Sequence, residues 1–442
     1  MPTYYAKVIV LFGTFEDYRQ ALIPLAGPGI DLGLVQVGVR EALVRPHLIR
    51  LMVARNPGRT ADEMLRSAGA NRIDWLTERD AWTLHLQRIP EDLEPRPGVP
   101  APDAAGGRAW HLQAVDAPAA WSAVGTPGGD IDWQNAVRVG QIDTGFTRHR
   151  AFGYGQPGGT WLLEALCRTM MDSGALPGDW VPTAPTADDG VDPMPSAGLF
   201  RGHGTRVGCT LSGHADGAAP GFDFRGVAPR VPHVVVRITD SVAINDRQNE
   251  FARALRYLVD VALVDVVNVS LGVYPPVASP AMKSAVADAR SAGVIVVCAA
   301  GNTVDPVVAP ARLPETIAVA GTTWQSLPWY GSSFGPEVDF SAPAADIFRP
   351  EPRPSGIASG YADGGDGTSY AAAITTGSAA LWLRRWAPQI AAKYGRTAER
   401  VEAFRAAAIA SCRKPPGWEP QPFGAGILNA GRLCNEAAVA LP

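Results

Sequence analysis

Apolar residues follow two patterns along this chain, and the change between them marks a boundary. In the first 90 residues, short apolar runs are interleaved with polar positions. Tyr5 to Phe12 is β-branched and apolar and predicts a strand. Phe15 to Ala26 carries apolar residues at helical spacing, cut short by Pro24. Leu32 to Val39 and Pro46 to Ala54 predict two further strands, and Trp82 to Ile89 alternates as a last one. Thr60 with Glu63 makes a helix-start signature, so Thr60 to Gly69 predicts a helix. The order β-α-β-β-α-β is that of a small α+β, ferredoxin-like unit over residues 1–90.

Residues 91–108 are rich in proline and end in Gly106 and Gly107, the composition of an exposed, semi-extended linker. From residue 109 to 442 the pattern changes. Ala136 to Ile142, His233 to Ile238, Val264 to Val269, Val294 to Ala299 and Thr316 to Ala320 are almost continuously apolar. Helical stretches alternate with them at His203 to Ser212, Glu250 to Ala262, Ala281 to Ala292 and Ser369 to Trp386. Strands buried on both faces and alternating with helices predict an α/β fold, a mainly parallel sheet between two helical layers. In such sheets ligands bind at the carboxyl ends of the strands. The Pro/Gly-rich stretch Ala345 to Gly367 reads as low in complexity.

Composition changes this picture little. With 442 residues, the chain suits one large domain and a small partner. A net charge of -4 and the absence of a basic block argue against a nucleic-acid partner. No stretch approaches a membrane span. The apolar run Val8 to Phe12 is too short for an export signal and is followed by Glu16 and Asp17, so a cytoplasmic location is expected. The five cysteines, Cys167, Cys209, Cys298, Cys412 and Cys434, make no CxxC pair and read as reduced, with a Cys412–Cys434 bridge as the alternative.

The chemistry gathers where strands end and helices begin. Asp143 closes the apolar run of VRVGQIDTG and puts a carboxylate at a strand end; the bland alternative is an Asp capping a turn. His203, in RGHGTRVG, stands at the mouth of a helix between Gly202 and Gly204. Ser369, in DGTSYAAA, opens a small-residue helix after a Gly-rich loop, where free N–H groups suit a developing oxyanion; an N-cap role is the bland alternative. Asn302, at the end of VVCAAGN, places an amide after a buried strand. Ser270, Leu271 and Gly272 end VVNVSLG, where exposed backbone would pair with an extended peptide. An acid, a His, an amide and a Ser thus follow in order. Asp, His, Ser is one known order of the hydrolytic triad.

The blocks VGQIDTG, GHGTRVG, VVNVSLG, VVCAAGN and DGTSYAAA resemble, in order, the signatures of the subtilisin-like serine proteases (subtilases, peptidase family S8). Weaker matches, such as PETIAVAGT and FGAGILNA, extend the resemblance over about residues 109 to 435. It implies a sheet of about seven parallel strands and a serine endopeptidase acting on protein or peptide substrates. It implies Asp143 as the orienting acid, His203 as general base, Ser369 as nucleophile and Asn302 as oxyanion donor. It implies that Ser270, Leu271, Gly272, Ala299, Ala300 and Gly301 bind substrate. Their uncharged walls lead us to expect an apolar residue before the cut. Residues 1–90 resemble the family's propeptide in pattern, which implies an inhibitor that docks on the catalytic domain; a permanent docking or recognition domain is the alternative.

The chain departs from the family at Arg206, where a His is usual, and at Ala371 to Ile374, where the missing proline is expected to loosen the first helical turn. The interval from Asp143 to His203 is long, so Phe152 to Leu199 reads as an insertion rimming the cleft. No cofactor is expected. Structural calcium is common in the family, yet no ligand loop is identifiable, and the histidines include no HExxH spacing. Two rival readings stand beside this one. An aspartic protease would need Asp143 and Asp172, but Asp172 follows no strand. A catalytically inactive subtilisin-fold binding module would explain the altered sequence after Ser369, though every catalytic position holds a working residue type.

Overall fold

The computed structural model describes four strands before residue 90 and residues 107–442, apart from 134–136, 172–188, 195–199, 220–221, 275, 303–305, 330 and 419. The four strands are β1 (Thr3–Phe12), β2 (Ile30–Val35), β3 (His47–Val53) and β4 (Ala81–Ile89). They form an antiparallel sheet in the order β2-β3-β1-β4. The helices expected at Phe15 to Ala26 and Thr60 to Gly69, and the linker up to residue 106, lie outside the described residues.

The second unit starts with helices α1 (Trp110–Ala114) and α2 (Ala117–Val124). Its sheet has seven parallel strands. In chain order the strands of this unit are β5 (Val139–Asp143), β6 (Arg168–Thr169), β7 (His214–Ala219), β8 (Phe222–Arg225), β9 (His233–Arg237), β10 (Val266–Val269), β11 (Ile295–Ala299), β12 (Ile317–Thr322) and β13 (Phe340–Pro343), followed by β14 (Ile347–Glu351) and β15 (Gly360–Gly365). The seven-stranded order is β13-β12-β11-β10-β5-β9-β6, with β7–β8 and β14–β15 as separate antiparallel hairpins. The connection leaving β5 runs to β6 at one edge and the connection leaving β10 runs to β11 toward the other, so the crevice between β5 and β10 is the sheet's switch point, where open α/β sheets bind ligands.

The unbroken apolar strands are explained by burial on both faces. In β11, Ile295 and Val297 enter one core with helix α6 (Thr368–Arg385), while Val296 and Cys298 enter the other. That second core is built on helices α4 (Gln248–Asp260) and α5 (Pro280–Ser291). Helix α3 (His203–Ser212) lies with α6 on the first face. The helices and strands expected from the sequence after residue 109 lie within a few residues of their predicted places.

Three readings change. The stretch Ala345 to Gly367 holds the β14–β15 hairpin. The described part of the Phe152 to Leu199 segment supplies the sheet's edge strand β6 and a third core around Phe152, Leu162 and Cys167, so it is built into the domain. Helix α6 runs unbroken for 18 residues from Thr368, because Ala371 to Ile374 keep the backbone donors that a proline would lack.

Candidate active site

Three side chains from three elements meet at the switch point. Asp143 ends β5 and is fully buried. Its Oδ1 lies 2.7 Å from His203 Nδ1 and accepts the Thr144 N–H at 2.7 Å. The Gln141 amide donates to Oδ2 at 3.2 Å and to the Gly204 carbonyl at 2.9 Å. His203 is the first residue of α3 and Ser369 the second of α6. His203 Nε2 lies 3.1 Å from Ser369 Oγ. Asp143, His203 and Ser369 therefore form one line of hydrogen bonds.

Glycines permit this approach. A side chain at Gly204 would place Cβ 2.1 Å from the Gly145 carbonyl oxygen, so β5's loop and the start of α3 touch through bare backbone. Gly202 caps the helix at φ 70°, in the left-handed region that favours glycine.

Asn302 follows β11 and is held at its oxygen. The N–H and the hydroxyl of Thr368 both donate to Asn302 Oδ1, each at 2.8 Å. The Thr368 hydroxyl also accepts the Gly301 N–H at 3.2 Å. The Asn302 amide nitrogen is held above the α6 start, 3.4 Å from where a Cβ on Gly367 would stand. Thr368 is thus a clamp on Asn302, a use that its sequence position as a capping residue did not reveal.

Ser270 reaches the same place. Its hydroxyl donates to the Ser369 carbonyl at 3.1 Å and accepts the Asn268 amide at 3.0 Å. The Ser369 hydroxyl lies 3.5 Å from the Ser270 carbonyl. Leu271 and Ala300 are buried, Ala299 nearly so, and Gly272 and Gly301 are half-buried. The backbone expected to meet a peptide is largely in use. The Gly272 N–H donates to Val242 and its carbonyl accepts the Ile244 N–H, both at 2.9 Å. The Gly301 carbonyl accepts from Ser333 at 2.8 Å. Chain segments left buried beside one another satisfy their own polar groups, which corrects the expectation of open strand edges here.

One residue of the site carries no sequence signal. Asp192, 1% exposed, accepts the Thr144 hydroxyl at 3.0 Å, the Gly202 N–H at 2.8 Å and the Met194 N–H at 2.7 Å. Burial pushes its carboxyl above the usual range, opposed by these donors. It lies in the long interval before His203, where no periodic pattern frames it. Arg206, the other departure, donates to the Arg201 carbonyl at 2.8 Å. Asp172 lies outside the described residues. All five cysteines are free and buried, Cys412 and Cys434 included. Among the described residues no three His, Cys, Asp or Glu side chains gather to hold a metal ion. No helix among them is long and apolar enough to cross a membrane.

A hydroxyl bonded to an imidazole whose other nitrogen meets a buried carboxylate is an arrangement that activates the hydroxyl as a nucleophile. Known proteins are similar to this chain over part of its length. Subtilisin NAT of Bacillus subtilis subsp. natto is 31% identical over 188 residues, 41% of this chain and 46% of that protein. The major intracellular serine protease of Bacillus subtilis (strain 168) is 30% identical over 159 residues, 35% of this chain and 48% of that protein. The chain thus spans about half the length of the curated relatives it matches. A solved protease from Pseudoalteromonas arctica PAMC 21717 shares the fold, with a TM-score of 0.56 at 22% identity over 75% of this chain and 97% of that one. Residues 134–417 match the model of the Subtilase family, and the chain belongs to that family.

Proposed function

We propose that this chain is a serine endopeptidase that cuts peptide bonds through an acyl-enzyme on Ser369. The observation that carries this is the line from Asp143 through His203 to Ser369, with contacts of 2.7 and 3.1 Å. His203 Nε2 takes the Ser369 proton as Oγ attacks the scissile carbonyl, then returns it to the leaving amine. Asp143 fixes the ring with Nδ1 as donor and stabilises the imidazolium. The Asn302 amide and the Ser369 N–H receive the oxyanion. Water then repeats the sequence to release the acid. Ser270 to Gly272 and Ala299 to Gly301 act as walls beside the nucleophile, their side-chain space mattering more than their backbone pairing.

The test is labelling of the full chain with a fluorophosphonate probe and mapping of the adduct. Label on Ser369, lost together with peptide hydrolysis in a folded Ser369→Ala variant, is the expected result. An unlabelled Ser369 both in the full chain and after cleavage in the linker would favour an inactive binding module.

In this reading residues 1–90 dock on the catalytic unit and inhibit it, and the enzyme is a regulated intracellular one. The Pro-rich tether motivates the first idea. Five free, buried thiols suit a reducing compartment and motivate the second. Limited proteolysis within residues 91–108 should raise the labelling rate at Ser369. An unchanged rate would remove the inhibitor role.

A further inference from the structure

Two glycines in the walls beside the nucleophile face one valine. Val273 and Ala309 exchange backbone hydrogen bonds at 2.8 and 3.3 Å, so residues 307–309 run antiparallel to 271–273. The Val308 N–H donates to the Ala300 carbonyl at 2.9 Å. Val308 therefore sits between the two walls, bonded to one and alongside the other. A methyl added to Gly272 would lie 2.7 Å from Val308 Cγ2, and one added to Gly301 would lie 2.8 Å from Val308 Cγ1. The same point on Gly301 lies 2.7 Å from Ser333 Oγ. The Val308 isopropyl group thus fills the space that both glycines leave open, with the Ser333 hydroxyl beside it at Gly301. Val308 keeps 6% of its surface exposed, while Val307 and Ala309 keep 1% and 0%, so it faces an opening and they do not.

Resting on the protease reading, we propose that Val308 is the floor of the subsite for the residue before the scissile bond, and that this floor limits the enzyme to small side chains: Gly, Ala or Ser. The leaving nitrogen must face His203 Nε2, which returns the proton to it. The acyl half then lies toward the walls that hold Ser369 and Asn302, Ser270 touching one and Gly301 preceding the other. A side chain entering between Gly272 and Gly301 meets Val308 within a carbon or two. Close-packed walls do not yield to an aromatic ring without displacing atoms. The expectation of any apolar residue before the cut narrows to a small one.

The experiment uses the full chain and two peptide anilides that differ only in carrying Ala or Phe before the anilide. The wild type is expected to favour Ala in kcat/KM by about tenfold or more, the scale at which one misfit carbon group is discriminated in an apolar pocket. Val308→Gly should move the Phe-to-Ala ratio at least tenfold toward Phe, and Val308→Ala should fall between. Melting curves identify a variant that fails to fold, and Val308→Ile, which lowers the ratio further, tests the same floor without removing atoms. A wild type preferring Phe, or a folded Val308→Gly with an unchanged ratio, overturns the proposal. Neither anilide cleaved and no fluorophosphonate adduct on Ser369 would instead overturn the protease reading, and the subsite with it.

Discussion

Asp192 Oδ2 accepts the hydroxyl of Thr144 at 3.0 Å, and that hydroxyl in turn accepts the Gly204 N–H at 3.1 Å. The same carboxylate oxygen binds the Gly202 N–H at 2.8 Å. One buried acid thus joins the residue after Asp143 to the residues on both sides of His203. It touches neither reacting atom and acts by position. Asp192→Asn turns one acceptor into a donor facing the Gly202 N–H. It should lower kcat by about 10- to 100-fold with KM little changed, since sub-ångström misplacement weighs on the chemical step. Thr144→Ser should keep most activity and Thr144→Val should not. The double variant Asp192→Asn/Thr144→Val should lose less than the sum of the singles, because both act on one network. Equal loss in kcat and gain in KM would mean a general loosening of the cleft instead.

Asn302 and Thr368 give a second expectation. Two donors on one oxygen hold the Asn302 amide in a single orientation. Thr368→Val removes the side-chain donor and leaves the backbone one, so activity should fall by about tenfold, a neutral hydrogen bond's worth of orientation. Asn302→Leu removes the amide itself. The loss should be about 100- to 1000-fold in kcat, a figure that belongs to subtilisin and is borrowed here for a relative of it. Steady-state kinetics on one peptide substrate orders the two variants. Thr368→Val as damaging as Asn302→Leu would mean that Thr368 does more than orient.

The strand-end residues were legible because a parallel sheet buried on both faces leaves long apolar runs, and a polar residue closing such a run stands out. Asp143, Ser270 and Asn302 were found that way, and His203 and Ser369 by the glycine-rich entries to their helices. Asp192 and Val308 were not. Asp192 acts across 48 residues of chain on Thr144, from a stretch with no periodicity, so only folding reveals its partners. Val308 lies in VVAPA, where a valine reads as ordinary core, and its meaning comes from Gly272 and Gly301, which no periodicity in the sequence ties to it. The hairpin at Ile347–Glu351 and Gly360–Gly365 was hidden by its prolines and glycines, whose composition suggests a loop. Backbone pairing at Gly272 was misjudged because a strand end looks open until its neighbours are known.

Gly204 tests how closely the acid's loop and the base's helix meet. A Cβ there would stand 2.1 Å from the Gly145 carbonyl oxygen and 3.2 Å from Asp143 Cβ. Neither neighbour is the end of a flexible side chain, so backbone must shift. Gly204→Ala should cost about 1–3 kcal/mol of stability by overpacking and should reduce kcat by more than the fraction unfolded accounts for. Denaturant titration alongside kinetics separates the two effects. A variant as stable and as fast as the wild type would show that the contact relaxes freely.

Stability should fall on mild acidification, through buried neutral histidines. His149 is fully buried; its Nδ1 accepts the Ala151 N–H at 2.9 Å, and its Nε2 donates to the Gly360 carbonyl at 3.0 Å, tying β15 to the loop after β5. Burial lowers its pKa from 6.5 to about 4, and that of His233 to about 3. Both pKa values are depressed in the folded state. Above pH 6.5 the rings are neutral whether the chain is folded or not, and stability is at its full value. As pH drops below 6.5 the unfolded chain takes up protons that the folded one refuses, and stability declines until the folded pKa is reached. For His149 alone the window from 6.5 to about 4 is worth about 3 kcal/mol. Urea midpoints at pH 7.5, 6.0 and 5.0 should therefore fall steadily. His149→Gln should be less stable at pH 7.5, having lost a ring that served two partners, yet show a shallower decline. A decline as steep as that of the wild type would remove His149 from the account and leave the acid sensitivity to His233 and the other buried rings.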